Sequence, residues 1–203
     1  MNKYDIRNVT APCNTYSVPG DLSPVVSIAS FKRDAESATT CSDIISCKLN
    51  SLWIFDGTEV DGNRGPHMVP IEGPFVSMTY DDSTKHLLVS TRPNARVPFT
   101  QHLVSSLTKD VGTVTCDNIY NFPGGSGQKY LSRSCLLWDK KNYVAAYQEN
   151  KRCVNIWNVN TGQATCTVPA HEPVLDMCGV SFNNVNFLLA LTERKLEFFK
   201  LCN

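Results

Sequence analysis

Three short segments start with proline and carry the same mixture of apolar and small residues. They are Pro24-Val25-Val26-Ser27-Ile28, Pro74-Phe75-Val76-Ser77-Met78 and Pro173-Val174-Leu175-Asp176-Met177. The first two begin 50 residues apart, and the second and third 99 apart, which is two such periods. A repeat of about 40 to 50 residues made of short apolar runs is the spacing of propeller blades, not of ankyrin or tetratricopeptide units. Helical periodicity is missing throughout. Turn signals separate runs rich in β-branched and aromatic residues, which predicts strands. The constraint is therefore severe: an all-β chain whose units recur and stack.

Between the repeats the strands can be placed in order. Residues 1–20 read as the end of a blade, with Tyr4-Asp5 closing a third strand and Asn14 to Val18 as its outer strand. A blade over 21–73 follows, with strands at Pro24–Ile28, Ile44–Cys47, Leu52–Gly57 and His67–Ile71, and a polar loop over 32–40. The next, over 74–122, has strands at Pro74–Met78, Leu87–Thr91, Gln101–Leu107 and Thr113–Tyr120. A third, over 123–169, contains Leu131–Trp138, Tyr143–Tyr147 and the strand ending in Ile156-Trp157-Asn158. That ending stands where a WD repeat carries its Trp-Asp pair, so the expected fold is a WD40-type β-propeller. The last blade, 170–203, lacks an outer strand. About four blades make an incomplete ring, and a WD propeller of about seven is expected. On this reading the missing material precedes Met1. The alternative is a small four-bladed ring, with the Asn14 segment paired beside Leu196–Phe199.

Composition excludes several classes of function. The chain has 203 residues, 42% of them hydrophobic, and 19 basic against 19 acidic side chains. A net charge of zero gives no field for steering nucleic acid, and no basic stripe is interleaved with aromatics, so direct nucleic-acid binding is not expected. No apolar run approaches the length of a membrane span and no signal peptide opens the chain, so a soluble, intracellular, reducing setting is expected, with no membrane partner. Nine cysteines, an odd number and without a C-x-x-C pair, argue against both a disulfide framework and a zinc ribbon, and favour buried free thiols.

Candidate chemistry is sparse. The glycine-rich Phe122–Gly127 stretch lacks the Lys-Ser/Thr and the helix that a phosphate loop requires. The four histidines, His67, His86, His102 and His171, form no metal or triad spacing. His171 is expected to make a structural hydrogen bond within its blade. Trp53, Trp138 and Trp157 lie in apolar strands and are expected to pack. The better contact candidates are Arg92 and Arg96, in a loop stiffened by Pro93 and Pro98; rigid loops lose less entropy on binding. That loop joins the second and third strands of its blade, which in a WD repeat opens on the peptide-binding face. Lys32 and Arg33 are expected on the same face, so that four cations meet an acidic segment of a partner.

Several stretches also resemble a known family. SLWIFDG (51–57), PHMVPIEG (66–73), STKHLLVSTRPN (83–94), EPVLDMC (172–178) and LLALTERKLEFFK (188–200) are similar, in order and spacing, to the C-terminal WD-repeat domain of the RING finger and WD repeat domain-containing protein 3 family of ubiquitin ligases. The resemblance implies a nuclear RING-type E3 ligase acting at stalled replication forks and in interstrand crosslink repair. It implies that the propeller recruits substrate, chiefly replication protein A, with the recombinase as a further substrate. This chain contains no RING ligand set and no heptad run. No catalytic residue or cofactor is therefore expected in it; zinc and the E2 enzyme belong with a RING that this sequence does not contain. Its part would be recruitment. A WD-repeat scaffold outside the ligase family is the alternative.

Overall fold

The computed structural model describes residues 1–7, 9–18, 20–32, 42–57, 65–110, 113–127, 129–137, 143–183 and 185–201. Among the described residues, seventeen strands build five antiparallel sheets and there is no helix. A two-stranded sheet comes first, from β1 (Asn2–Lys3) and β2 (Asn14–Thr15). The first full blade is β3 (Val25–Phe31), β4 (Asp43–Lys48), β5 (Leu52–Phe55) and β6 (His67–Val69). The second is β7 (Phe75–Asp81), β8 (His86–Thr91), β9 (Gln101–Asp110) and β10 (Thr113–Pro123). The third is β11 (Cys135–Leu137), β12 (Tyr143–Gln148), β13 (Cys153–Asn158) and β14 (Ala164–Pro169). The last has three strands, β15 (Val174–Phe182), β16 (Val185–Thr192) and β17 (Leu196–Leu201).

Each blade is an antiparallel meander whose first strand lines the channel. The inner strands β3, β7, β11 and β15 line one central channel of about 520 Å³, with Ser27, Ser77, Ser134 and Asp176 on its wall. The recurring proline-led segments are three of these four inner strands, which is why they repeat. Apolar residues of facing sheets fill the gaps between blades. One core joins the first and second blades through Ile45, Leu52, Ile54, Phe75, Leu87 and Leu107; another joins the third and last through Val154, Ile156, Met177 and Leu188. Between the second and third blades, Tyr120 stacks on Phe122 at 5.7 Å and Phe122 on Trp157 at 5.3 Å.

The aromatic ladder ends on a glycine. Gly162 adopts φ +70°, and a Cβ there would lie 2.4 Å from Tyr120 Cε1. Both the left-handed backbone and the ring exclude a side chain. Gly162→Ala is expected to cost about 2 kcal/mol, from the left-handed penalty plus displacement of Tyr120. A lowered urea midpoint at unchanged slope would show it; an unchanged midpoint would refute it.

The β9–β10 hairpin is longer than its blade needs. Its first half pairs with β8 through residues 101–106, and its outer part, residues 107–110 paired with 113–116, projects beyond. That projection reaches the first blade, where Lys109 Nζ lies 2.6 Å from Asp43 Oδ2 and 3.9 Å from Asp56 Oδ2. All three side chains are almost fully buried, and the backbone N–H of Gly57 donates to Asp43 Oδ1 at 2.9 Å. Gly57 is required there, since a Cβ would fall 2.0 Å from the Ser42 carbonyl oxygen.

Three expectations need correction. The Asn14 segment does not lie beside Leu196–Phe199: Asn14 and Thr15 pair with Lys3 and Asn2, and β17 pairs only with β16. The reason is local, since Tyr16 packs on Phe55 at 5.2 Å and holds the small sheet against the first blade. His171 is exposed and its ring makes no hydrogen bond among the described residues; the histidine that serves inside a blade is His102, 4% exposed. The described cysteines are free thiols, but not all are buried: Cys47, Cys135 and Cys153 are, whereas Cys13, Cys166 and Cys178 are exposed. Cys178 faces out because strand alternation turns Met177 into the core, leaving its neighbour on the flank with Val180, Phe182 and Phe198. Cys41, Cys202 and Trp138 lie outside the described residues.

Candidate recruitment face

The ends of the blades differ in chemistry. On one end, which we term the loop face, the inner strands begin and the second strands finish. The other end carries the turns between first and second strands. The β8–β9 loop, 92–100, opens on the loop face and is tied down at both ends. The Arg92 N–H donates to the Pro74 carbonyl at 2.8 Å, and the Thr100 N–H to the Gly125 carbonyl at 2.9 Å. Inside the loop, Asn94 Oδ1 accepts from the N–H groups of Arg96 and Val97, both at 2.9 Å, which makes a small side-chain-closed turn.

Arg96 stands on the wall of a groove of about 770 Å³ between the first and second blades. Its guanidinium lies 3.3 Å from Glu72 Oε2 on the opposite wall, with both side chains about 85% exposed. So exposed a pair contributes little to stability and is open to exchange with a partner's charge. Asn50, Ser51, Met68 and Ile71 complete the groove, and Met68 is 60% exposed. The groove wall is braced from below. Asp21 accepts hydrogen bonds from Ser51 Oγ and from the Ser23 N–H, and lies 3.3 Å from Lys48 Nζ. The hydrogen bonds from Ser23 and Ser51 hold its carboxyl far below the usual carboxylate range. The Trp53 indole N–H donates to Ser51 Oγ at 2.7 Å, so this tryptophan braces the groove.

Arg92 and Pro93 sit on the same loop closer to the channel, both half-buried. Lys32 does not join them. Its N–H donates to Asp82 Oδ1 at 3.1 Å, in the turn between β7 and β8. That turn is at the opposite end of β8 from Arg92. Lys32 follows a first strand whereas Arg92 follows a second strand, and antiparallel neighbours end on opposite faces. The expected four-cation cluster is therefore corrected to two arginines on one face and Lys32 on the other. Arg33 lies outside the described residues.

A buried polar chain supports the inner edge of this face. Ser77 Oγ is 3.5 Å from Ser134 Oγ, Ser134 Oγ is 2.6 Å from Ser90 Oγ, and Ser90 Oγ is 2.8 Å from His102 Nδ1. It links three strands of the second blade to the start of the third. Burial pushes the His102 imidazole down to about 4, so the ring is neutral at physiological pH. Gly124 packs against that ring, and a Cβ there would come 3.0 Å from Nε2. The Phe122–Gly127 stretch thus serves close packing, consistent with its lack of phosphate-loop partners.

Sequence reasoning missed Arg133, Glu72 and Ser132. Arg133 and Ser132 sit in the Ser-Arg-Ser preceding β11, an unremarkable polar tripeptide, and only its pairing with the second blade brings it to the face. Glu72 was inside a matching stretch but had no visible partner.

Antiparallel sheets of three and four strands around a shared channel define a WD40-type β-propeller domain. The chain belongs to the E3 ubiquitin-protein ligase RFWD3 WD40 domain family, whose sequence pattern matches residues 1–200. E3 ubiquitin-protein ligase RFWD3 of Homo sapiens is 23% identical, covering 97% of this chain and 27% of the human protein. The Mus musculus protein of the same name is 25% identical with the same coverage. This chain therefore spans about a quarter of the length of these relatives. Among solved structures, the β-propeller domain of Cps50 (Swd1) from Myceliophteria thermophila aligns at a TM-score of 0.39 and 12% identity, over 79% of this chain and 67% of that one. Membership of the ligase-associated family sets aside the scaffold outside it.

Proposed function

We propose that this chain is the substrate-recruiting part of a RING-type E3 ubiquitin ligase of the DNA damage response, acting in the nucleus at stalled forks and interstrand crosslinks. On this reading it binds replication protein A, and a RING elsewhere in the ligase supplies the E2 contact and the transfer of ubiquitin. The observation that carries the reading is the family match over residues 1–200. The groove beside Arg96 and Glu72 supports a recruitment role, because it offers an apolar floor with an exchangeable ion pair at its rim. The expected outcome is saturable capture of purified replication protein A by the immobilised 203-residue chain, seen by surface plasmon resonance. Arg96→Glu should weaken that capture without lowering the melting temperature, since the side chain is exposed. Absence of capture by the wild-type chain would overturn the reading.

A further inference from the structure

The loop face holds a second set of donors, outside the groove, where the end of β8 meets the segment leading into β11. The Ser90–Ser134 contact at 2.6 Å fastens the end of β8 to the segment leading into β11. Two residues further toward the loop face stand Arg92 on one segment and Ser132 on the other. Arg92 Nε and Ser132 Oγ are both shielded from solvent and have no hydrogen-bond partner among the described residues. Beside Ser132, Arg133 is anchored by its N–H to the Leu175 carbonyl at 3.0 Å and lines the channel. Its guanidinium is 58% exposed and touches Asp176 only loosely, at 3.8 Å.

We propose that Arg92, Ser132 and Arg133 form an anion subsite for an acidic, extended segment of the recruited protein, an inference that rests on the recruitment role above. Two guanidinium forks and a hydroxyl supply donors suited to a carboxylate. Buried donors without acceptors are costly, so an arriving carboxylate relieves a deficit as well as adding a contact. Three acids of the surrounding segments are engaged elsewhere. Glu149 accepts from the N–H groups of Lys129 and Tyr130 at 2.8 and 2.6 Å. Glu172 accepts from Thr192 Oγ1 at 2.8 Å, and Asp21 is held by Ser23 and Ser51. Asp176 is the remaining competitor, and it is too far from Arg133 for a strong hydrogen bond. Pro93 limits the backbone after Arg92, so the donor is held in place before the partner arrives.

The test uses the 203-residue chain and two short fluorescein-labelled peptides, one of alternating glutamate and glycine, the other with glutamine in place of glutamate. Anisotropy is expected to show binding of the glutamate peptide, weakened by salt, and no binding of the glutamine peptide. Arg92→Gln and Arg133→Gln should each reduce affinity by about tenfold, and Arg194→Gln, on the same face but away from these donors, should not. Equal binding of both peptides, or equal losses in all three variants, would overturn the subsite. Because Arg133 and Arg194 are both exposed, their comparison holds even if Arg92→Gln unfolds. Replication protein A provides the separate arm. Glutamate-peptide binding without capture of that protein supports the subsite and removes the proposed partner. Capture of that protein by a chain that ignores the glutamate peptide removes the subsite and keeps the partner.

Discussion

Replacing Lys109 by alanine is expected to lower the unfolding free energy by about 3–5 kcal/mol, the usual cost of removing one member of a buried ion pair. The ammonium lies 2.6 Å from Asp43 and is the bridging cation between it and Asp56. Without it, two buried carboxylates face each other across the first blade with less compensation. The loss should appear as a fall in melting temperature of roughly 10 °C for a domain of this size. A discriminating companion is Lys109→Met, which keeps the aliphatic stem. If the charge is what matters, methionine recovers little; if stem packing matters, it recovers most. A melting temperature unchanged in Lys109→Ala would show that the β9–β10 projection does not clamp the first blade. The effect is structural, so in a variant that stays folded, binding at the loop face should survive.

Acidification from pH 6.5 is expected to destabilise the chain, and His102 is the main cause. Its folded value is about 4 against an ordinary 6.5, because burial disfavours the charged ring. Below pH 6.5 the unfolded chain takes up a proton that the native ring refuses. Stability therefore falls as the pH drops from 6.5 to 4 and levels off for this group below 4. The full contribution is about 3 kcal/mol, the worth of holding the ring so far below its ordinary value. His86, also lowered by burial, adds to the slope in the same direction. His102→Gln should be less stable at neutral pH, through its altered contact with Ser90, but should show a flatter profile across this window. Equilibrium urea unfolding at stepped pH measures both. A wild-type profile that stays level between pH 6.5 and 4 would contradict a buried neutral ring. Asp81 acts lower: burial opposes its charge, but hydrogen bonds from Thr84 and Ser83 outweigh that and hold it down, so its contribution is lost only as the pH falls through its depressed native value.

Much of the architecture was legible because its cause is local. The segment Leu87–Thr91 is a run of buried residues between a turn and a proline loop, and it folded as β8. The inner strands repeated in sequence because each meets the same surroundings: a channel on one side, neighbouring blades on the others. Asp56-Gly57 closed its strand as expected. Its reason was not, since Gly57 is needed for an approach to Ser42 and Asp43, residues that strand pairing brings alongside.

The contact site was less legible. Arg92, Pro93 and Arg96 were placed on a loop of the correct blade, and the structure puts them on the loop face. Lys32 was assigned to that face by analogy of position, although it follows a first strand and they follow a second. Hydrophobic periodicity identifies a strand but carries no label for its direction or rank within a blade. His102 drew no more notice than three other histidines, because burial of a polar ring depends on what the third blade lays over it.

The sequence by itself determined the class of fold, the repeat length and the proline-stiffened arginine loop, all properties written in neighbouring residues. The tertiary structure alone decided which histidine is buried, which lysine clamps two blades, and which serines join the second blade to the third. Lys109 and Asp43 are 66 residues apart and Ser90 and Ser134 are 44 apart. Contacts of that range depend on how whole sheets pack around the channel, and no local pattern of apolar and polar residues encodes them.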